Sequence, residues 1–200
     1  NCFRRFWERM LTTATNARIA LAHDGSLQCP GEIFFVDKPL SPAQVSALRE
    51  VGAQIVAEDL RQFRTVVNQL GTPFLTFERL VTLLERTLAS DALETPEVTE
   101  AMLANFYRPL WGVANDLLPD TIFKHLVAKT IQRFEALPIL VTEDLYAVTI
   151  AQSFVAPATL AAERVAALLP RQAIASQQIF EFSKVAGLIR GLDLGAVTNY

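Results

Sequence analysis

Several things are scarce in this chain of 200 residues, and each scarcity excludes something. There are two histidines, His23 and His125, far apart in sequence, so a histidine metal site with helical or loop spacing is not offered. The two cysteines, Cys2 and Cys29, have no metal-binding spacing. A bridge between them stays open on sequence grounds, and free thiols in a cytoplasmic protein are the simpler reading. The eight glycines are dispersed, and neither G-x-x-x-x-G-K-[ST] nor G-x-G-x-x-G occurs, so no phosphate cradle or dinucleotide turn is expected. Lys and Arg are scattered at a net charge of −3, which gives no clustered positive surface for nucleic acid or anionic membrane. No apolar run reaches the ~18 residues of a membrane span. The most apolar region, Leu137 to Ala162, is broken by Glu143-Asp144 and by Pro157. Secretory signals and Asn-x-Ser/Thr sequons are missing as well.

What is present is apolar mass. Hydrophobic residues make up 51% and charged residues 20%, with a mean hydropathy of +0.26. That exceeds the needs of a core and implies apolar surface meeting another domain or subunit. The chain opens at Asn1 without Met, which reads as a piece of a longer polypeptide.

The stretch from Glu32 to Gly71 organises the rest. Ile33-Phe34-Phe35-Val36 reads as a strand buried on both faces. Ser41-Pro42-Ala43-Gln44 then announces a helix: a capping hydroxyl, a proline at the first helical position, and a glutamine three residues on that reaches back. Val45, Leu48 and Val51 give it an apolar stripe, and Gly52 supplies the left-handed residue that ends it. Ala53 to Ala57 reads as a second strand, parallel to the first across the crossover helix. Asp59 is placed to cap a second helix with Leu60, Phe63, Val66, Val67 and Leu70 on one face, stopped by Gly71.

Upstream, Phe3, Phe6, Trp7, Met10 and Leu11 form one face of an amphipathic helix, read as core-facing, with a partner groove as the alternative. His23-Asp24-Gly25-Ser26 is a hairpin turn because Asp-Gly tolerates positive φ. With no nucleophile motif nearby, His23 and Asp24 are turn residues rather than catalytic ones. Downstream, a helix that Thr76 can cap carries Leu80, Val81, Leu83, Leu84 and Leu88 on its apolar face. Ser90 to Pro96 reads as a linker. Thr95-Pro96 starts a helix through Val98, Met102, Phe106 and Leu110 that Pro109 kinks or splits. Asp120 opens another, where Ile122, Phe123, Leu126, Val127, Thr130, Ile131 and Phe134 keep period and His125 is a surface or satisfied core histidine. Strands follow at Leu137 to Val141, Tyr146 to Val148 and Ser153 to Val155. After them come a helix over Leu160 to Leu169, a short strand at Ile174-Ala175, and a final helix from Ile179 to Ile189.

The same order occurs twice, offset by about 120 residues, as a true repeat would show. Ile19-Ala20-Leu21…Asp24 matches Ile139-Leu140-Val141…Asp144, and Phe35-Val36 matches Phe154-Val155. Leu40 matches Leu160, and Val45…Leu48 matches Val165…Leu168. Ile55, Leu60, Phe63 and Val66 match Ile174, Ile179, Phe182 and Val185. The expected architecture is mixed α/β: two similar hairpin-β-α-β-α units separated by helices. Residues 1–90 form the first unit with its leading helix, 91–136 a helical connector, and 137–200 the second unit.

FWERML, followed by IALAHDGSLQCPGEIFFVDKPLSPAQVSALREVGAQIVAEDLRQFRTVVNQLG, resembles the segments downstream of the ATPase domain in sacsin-like and No-vein-like proteins. LPILVTEDLYAV…FVAP…LLP resembles the next copy of that module. In such proteins an Hsp90-like ATP-binding domain holds Mg-ATP through a helical Asn and Asp/Gly-rich motifs, and nothing here matches those as a set. The resemblance therefore implies a non-catalytic body that senses or transmits the ATPase state, or binds clients. No catalytic, cofactor-binding or metal-binding residue is assigned, and the expected partner is protein rather than nucleic acid or membrane. The competing reading is a small α/β enzyme or ligand-binding domain with its site at the strand C-terminal ends near Asp37 and Asp59, by positional analogy with open α/β sheets. Glu58-Asp59 and Glu143-Asp144 are adjacent pairs, so one member of each caps or faces water. For a third reading, an effector fragment, no residue speaks.

Overall fold

A computed structural model describes residues 2–88, 97–155 and 174–191. The chain divides into two compact units, Asn1–Thr76 and Phe77–Tyr200. The architecture is mixed α/β, with helices around small sheets of short strands.

In the first unit, α1 (Cys2–Asn16) leads into an antiparallel hairpin of β1 (Ala20–Leu21) and β2 (Leu27–Gln28), with Leu21 opposite Leu27. A 3-10 turn at Pro30–Glu32 enters β3 (Ile33–Phe34). Helix α2 (Pro42–Glu50) begins at a capping box: Ser41 Oγ accepts from the Gln44 amide, and the Gln44 side chain accepts from the Ser41 amide. It ends where Gly52 takes φ +81°, and β4 (Gln54–Ile55) returns parallel to β3, as the crossover requires. A bridge at Ala22 and Val56 ties the hairpin to β4, and one at Phe35 and Phe74 adds a third parallel rung. Ala20, Ile33, Phe35, Val56 and Val67 fill the core between sheet and helices, with Leu60 and Phe74 packed against them. β3 alternates, with Ile33 and Phe35 buried and Phe34 and Val36 half-buried, instead of being covered on both faces.

The segment expected as one helix capped by Asp59 is instead a 3-10 helix, Glu58–Phe63, running into α3 (Arg64–Gln69). Ala57 stands at the cap position, and Asp59 lies in the first turn. Leu60 and Phe63, three apart, suit a 3-10 turn as well as an α-turn. The change of pitch leaves Phe63 and Val66 exposed while Val67 alone of α3 is buried. Helix α1 also departs from expectation: Phe6 is 58% and Met10 46% exposed, with Leu11 half-buried, so the stripe does not face a core. The side chains of Phe3 and Trp7 lie outside the described residues.

The second unit opens with α4 (Phe77–Leu88), which buries Phe77, Leu80, Val81 and Leu84. The expected linker Ser90 to Pro96 lies outside the described residues. The next helix starts later than Thr95 suggests: Thr99 caps α5 (Glu100–Met102), while Val98 donates its amide to Leu145. A π-helical segment, Leu103–Tyr107, joins it to α6 (Arg108–Leu117), and the Arg108 amide reaches back to Leu103. The wide turn sits just ahead of Pro109, whose ring would collide with the carbonyl four residues back in a regular α-helix, so the helix is re-pitched there rather than split. The helix expected to open at Asp120 begins later: residues Thr121–Val127 form a 3-10 stretch that the Asp120 side chain does not cap and that leaves Phe123 and Leu126 exposed. Only then does α7 (Ala128–Glu135) begin, packing Phe134 edge-on to Phe77 with ring centroids 5.3 Å apart. Trp111 is fully buried and donates its indole N–H to the Ile139 carbonyl at 2.8 Å.

β5 (Leu140–Val141) and β6 (Ala147–Val148) form the second hairpin, and a 3-10 turn at Ile150–Gln152 enters β7 (Phe154–Val155). The expected helix Leu160 to Leu169, and with it the matches of Leu40, Val45 and Leu48, lies outside the described residues. The final helix is divided: a 3-10 segment Gln177–Glu181, then α8 (Ser183–Ala186), then β8 (Arg190–Gly191) parallel to β7.

The repeat is carried by hydrogen bonds rather than by residue type. The Ala57 amide donates to Leu21 as Ser176 donates to Val141, His23 to Ile55 as Glu143 to Ile174, and Val56 to Phe34 as Ala175 to Phe154. The bridge of Ala22 with Val56 recurs as Thr142 with Ala175. Phe154 thus corresponds to Phe34, one residue from the Phe35 that residue type alone suggests. In a strand that step changes the face.

Candidate functional site

Three places concentrate the chemistry. At the C-terminal ends of β3 and β4, a cleft is floored by Phe35, Val45, Ile55 and Val56 and edged by His23, Lys38, Glu58 and Arg61. The space it offers a water-sized sphere is about 20 Å³, the room of one water molecule. Asp37 and Asp59, the acids expected here, do not line it. The Asp37 carboxylate pairs with Arg64 at 3.1 Å, its carbonyl accepts from Arg61, and the Arg64 guanidinium stacks 5.0 Å from the Phe74 ring centre. The Asp59 carbonyl accepts from the Gln62 side chain. Glu58 and Arg61 are themselves paired at 3.7 Å. Sequence reasoning passed over Arg61, which reaches back 24 residues to Asp37, a distance no local pattern encodes.

His23 and Asp24 hold the first turn. Asp24 Oδ1 accepts from the Ser26 hydroxyl at 2.6 Å and amide at 3.0 Å, while Oδ2 pairs with Arg49 at 2.7 Å. The Ser26 hydroxyl above all, then its amide and Arg49, hold the carboxyl below its ordinary value, as an Asx-turn anchor requires. His125 is exposed. Cys29 is a free thiol whose Sγ lies 3.5 Å from the Asn16 carbonyl. Among the described residues, no three His, Cys, Asp or Glu gather as a metal site would require. Also among them, no helix is long and apolar enough to cross a membrane.

In the second unit, the Lys184 ammonium binds the Leu118 carbonyl and Asp120, both at 2.8 Å, at the C-terminal end of α6, while its amide donates to Asn115 Oδ1. Arg108 pairs with Glu181 at 2.5 Å alongside. A cation on orphan helix carbonyls is favourable, and every group here is consumed by its neighbours. Burial pushes the nearby Tyr107 hydroxyl up.

The third place is the exposed apolar face of α1, with Phe6 and Met10 open to solvent and the arginines Arg4, Arg5 and Arg9 around them. Compared with family models, curated proteins and solved structures, the chain matches none.

Proposed function

We propose that this chain is a non-catalytic protein-interaction body, the scaffold or signal-transmitting part of a larger Hsp90-like ATPase acting in the cytoplasm. The observation that carries the interaction reading is the exposure of Phe6 and Met10 on a helix whose stripe is built for burial. The bonding of the ionisable groups to one another supports it, since Asp24, Asp37, Arg61 and Lys184 each serve a turn, a loop or a helix end. The link to an ATPase rests on the sequence resemblance. Ligand binding at the strand ends near Asp37 and Asp59 has less support, because neither acid lines the cleft there and Asp37 is held by Arg64.

The test is sedimentation of the full chain over a concentration series, together with fluorescence of the dye ANS. Self-association or dye binding that falls in a Phe6→Asp, Met10→Asp double variant is expected. A chain that stays monomeric and leaves the dye dark overturns the reading.

A further inference from the structure

The two copies of the repeat answer a question that neither answers alone: what covers α1. α1 and α7 hold the same place in their respective copies. Each ends in the same pair of hydrogen bonds, Ala17 to Ala14 and Ile19 to Ala17 in one, Leu137 to Phe134 and Ile139 to Leu137 in the other. Each lies against the 3-10 turn that follows its hairpin, Pro30–Glu32 or Ile150–Gln152. By that correspondence Met10, Leu11 and Ala14 stand where Thr130, Ile131 and Phe134 stand.

In the second copy this face is closed. Ile131 is 8% and Phe134 0% exposed, under a helix, α4, that presents Phe77, Leu80, Val81 and Leu84. Arg133 at the edge of the face binds Glu85 of α4 through two nitrogens, at 2.8 and 2.5 Å, and also reaches the Thr82 hydroxyl. In the first copy the same places are less covered: Met10 is 46% exposed and Leu11 and Ala14 are half-buried, and Phe6, one turn earlier and beyond the reach of α7's correspondence, is exposed. Its edge differs in one respect. Thr13 occupies the place of Arg133, and Arg9 lies on the same edge one turn earlier, beside an open trough lined by Arg5, Glu8, Arg9, Thr12 and Thr13, in which Glu8 is held by Arg4 at 2.9 Å.

From this we infer that the Phe6–Met10–Leu11 face of α1 docks an amphipathic helix of α4's chemistry: an aliphatic Leu/Val stripe with a carboxylate set to meet Arg9, seated as α4 sits on α7. The inference rests on the interaction reading above and names the kind of partner. Helix-in-groove docking of this sort reads a stripe at i, i+3, i+4 and i+7. α4 itself shows it, with buried residues at 77, 80, 81 and 84.

The probe is a fluorescent peptide with the α4 sequence, residues 77–88, held helical by a staple between outward positions because so short a helix is marginal alone. It is titrated into the full chain and followed by anisotropy. Expected is saturable binding that weakens at least about tenfold in Met10→Asp, since a buried Met side chain is worth more than one such factor. It should not change in Phe180→Asp, which alters an exposed apolar residue elsewhere. Arg9→Glu should weaken it too, and a peptide with Glu85→Lys should recover part of that loss. Circular dichroism checks that each variant is folded. Binding indifferent to Met10→Asp overturns the inference. So does self-association lost in Met10→Asp without peptide binding: the occupant is then a second copy, while the interaction reading survives. Absence of peptide binding, self-association and dye binding together removes both.

Discussion

Gly25 and Leu145 occupy the same place in the two hairpins, and both take positive φ, +81° and +62°. Their amides make the same bond, Gly25 to Ala22 and Leu145 to Thr142. Left-handed backbone costs a side-chain-bearing residue roughly 1–2 kcal/mol, so the second turn carries strain that the first avoids. Leu145 is half-buried, and that burial offsets part of the cost. A Cβ on Gly25 would meet nothing within 4 Å. Gly25→Leu should therefore keep the hairpin register and lower stability by about 1 kcal/mol in urea denaturation, once the smaller chain entropy lost on folding is counted. A collapse of the fold, or no change, would contradict this. Thr72 gives the opposite case. It is 2% exposed, and its hydroxyl is buried without a partner. An unsatisfied buried hydroxyl costs about 1–3 kcal/mol, so Thr72→Val, which keeps the shape, should raise the melting temperature. Thr72→Ser, which keeps the hydroxyl and loses a methyl, should lower it.

At the scale of elements, what sequence makes legible is what is local. Ser41, Pro42 and Gln44 lie within one turn of each other and predict α2's start to the residue, and Gly52 predicts its end. The span Ile179 to Ile189 shows the limit. Its apolar residues at 179, 182, 185 and 189 have helical spacing, yet the chain stretches at Phe182 (φ −111°, ψ 73°) and leaves the helix so that Arg190–Gly191 can pair with β7. That pairing is a demand made more than thirty residues away, and no window on 179–189 contains it. The clamp of Arg133 on Glu85 is equally non-local, and it sets a pH dependence. Hydrogen bonding from Arg133, then its charge, holds the Glu85 carboxyl below its ordinary value of 4.5, against the opposing effect of desolvation. A carboxyl with a depressed folded-state value stabilises fully above its unfolded value, and the contribution fades as pH falls through the folded one. Both side chains are about a third exposed, so Glu85→Gln should cost at most about 1 kcal/mol at neutral pH, less in high salt. The difference from the parent chain should shrink toward zero as thermal melts are taken below pH 4.5. A difference that persists in acid would assign the effect to packing.

For the whole molecule, the repeat is the feature that sequence announces and structure sharpens. Matched apolar positions reveal two copies of a mixed α/β unit, because burial selects residue type at each place in the sheet. Register, however, is written in backbone bonds, and a match of Phe with Phe misplaces β3 against β7 by one residue. The candidate site was less legible. The stripe on α1 is plain in the sequence, but a stripe says only that a face wants cover: on α7 the chain supplies it through α4, and on α1 Phe6 and Met10 stay exposed. The repeated bonds make a prediction of their own. In each copy one residue pair closes the hairpin onto the parallel strands: Val56 and Ala57 through Phe34 and Leu21, Ala175 and Ser176 through Phe154 and Val141. All four closing residues are buried, whereas Leu27 and Gln28 of the outer hairpin strand are exposed or half-buried. Amides whose opening requires breaking the sheet exchange slowly, and those at a frayed edge exchange fast. Hydrogen exchange of the native chain should thus place the amides of 56, 57, 175 and 176 among the slowest in their own copies, well behind that of Gln28. Slow exchange at 56 and 57 with fast exchange at 175 and 176 would mean that the second copy shares the fold's outline without its closure, and the transfer of α4's position on α7 to α1 would lose its basis.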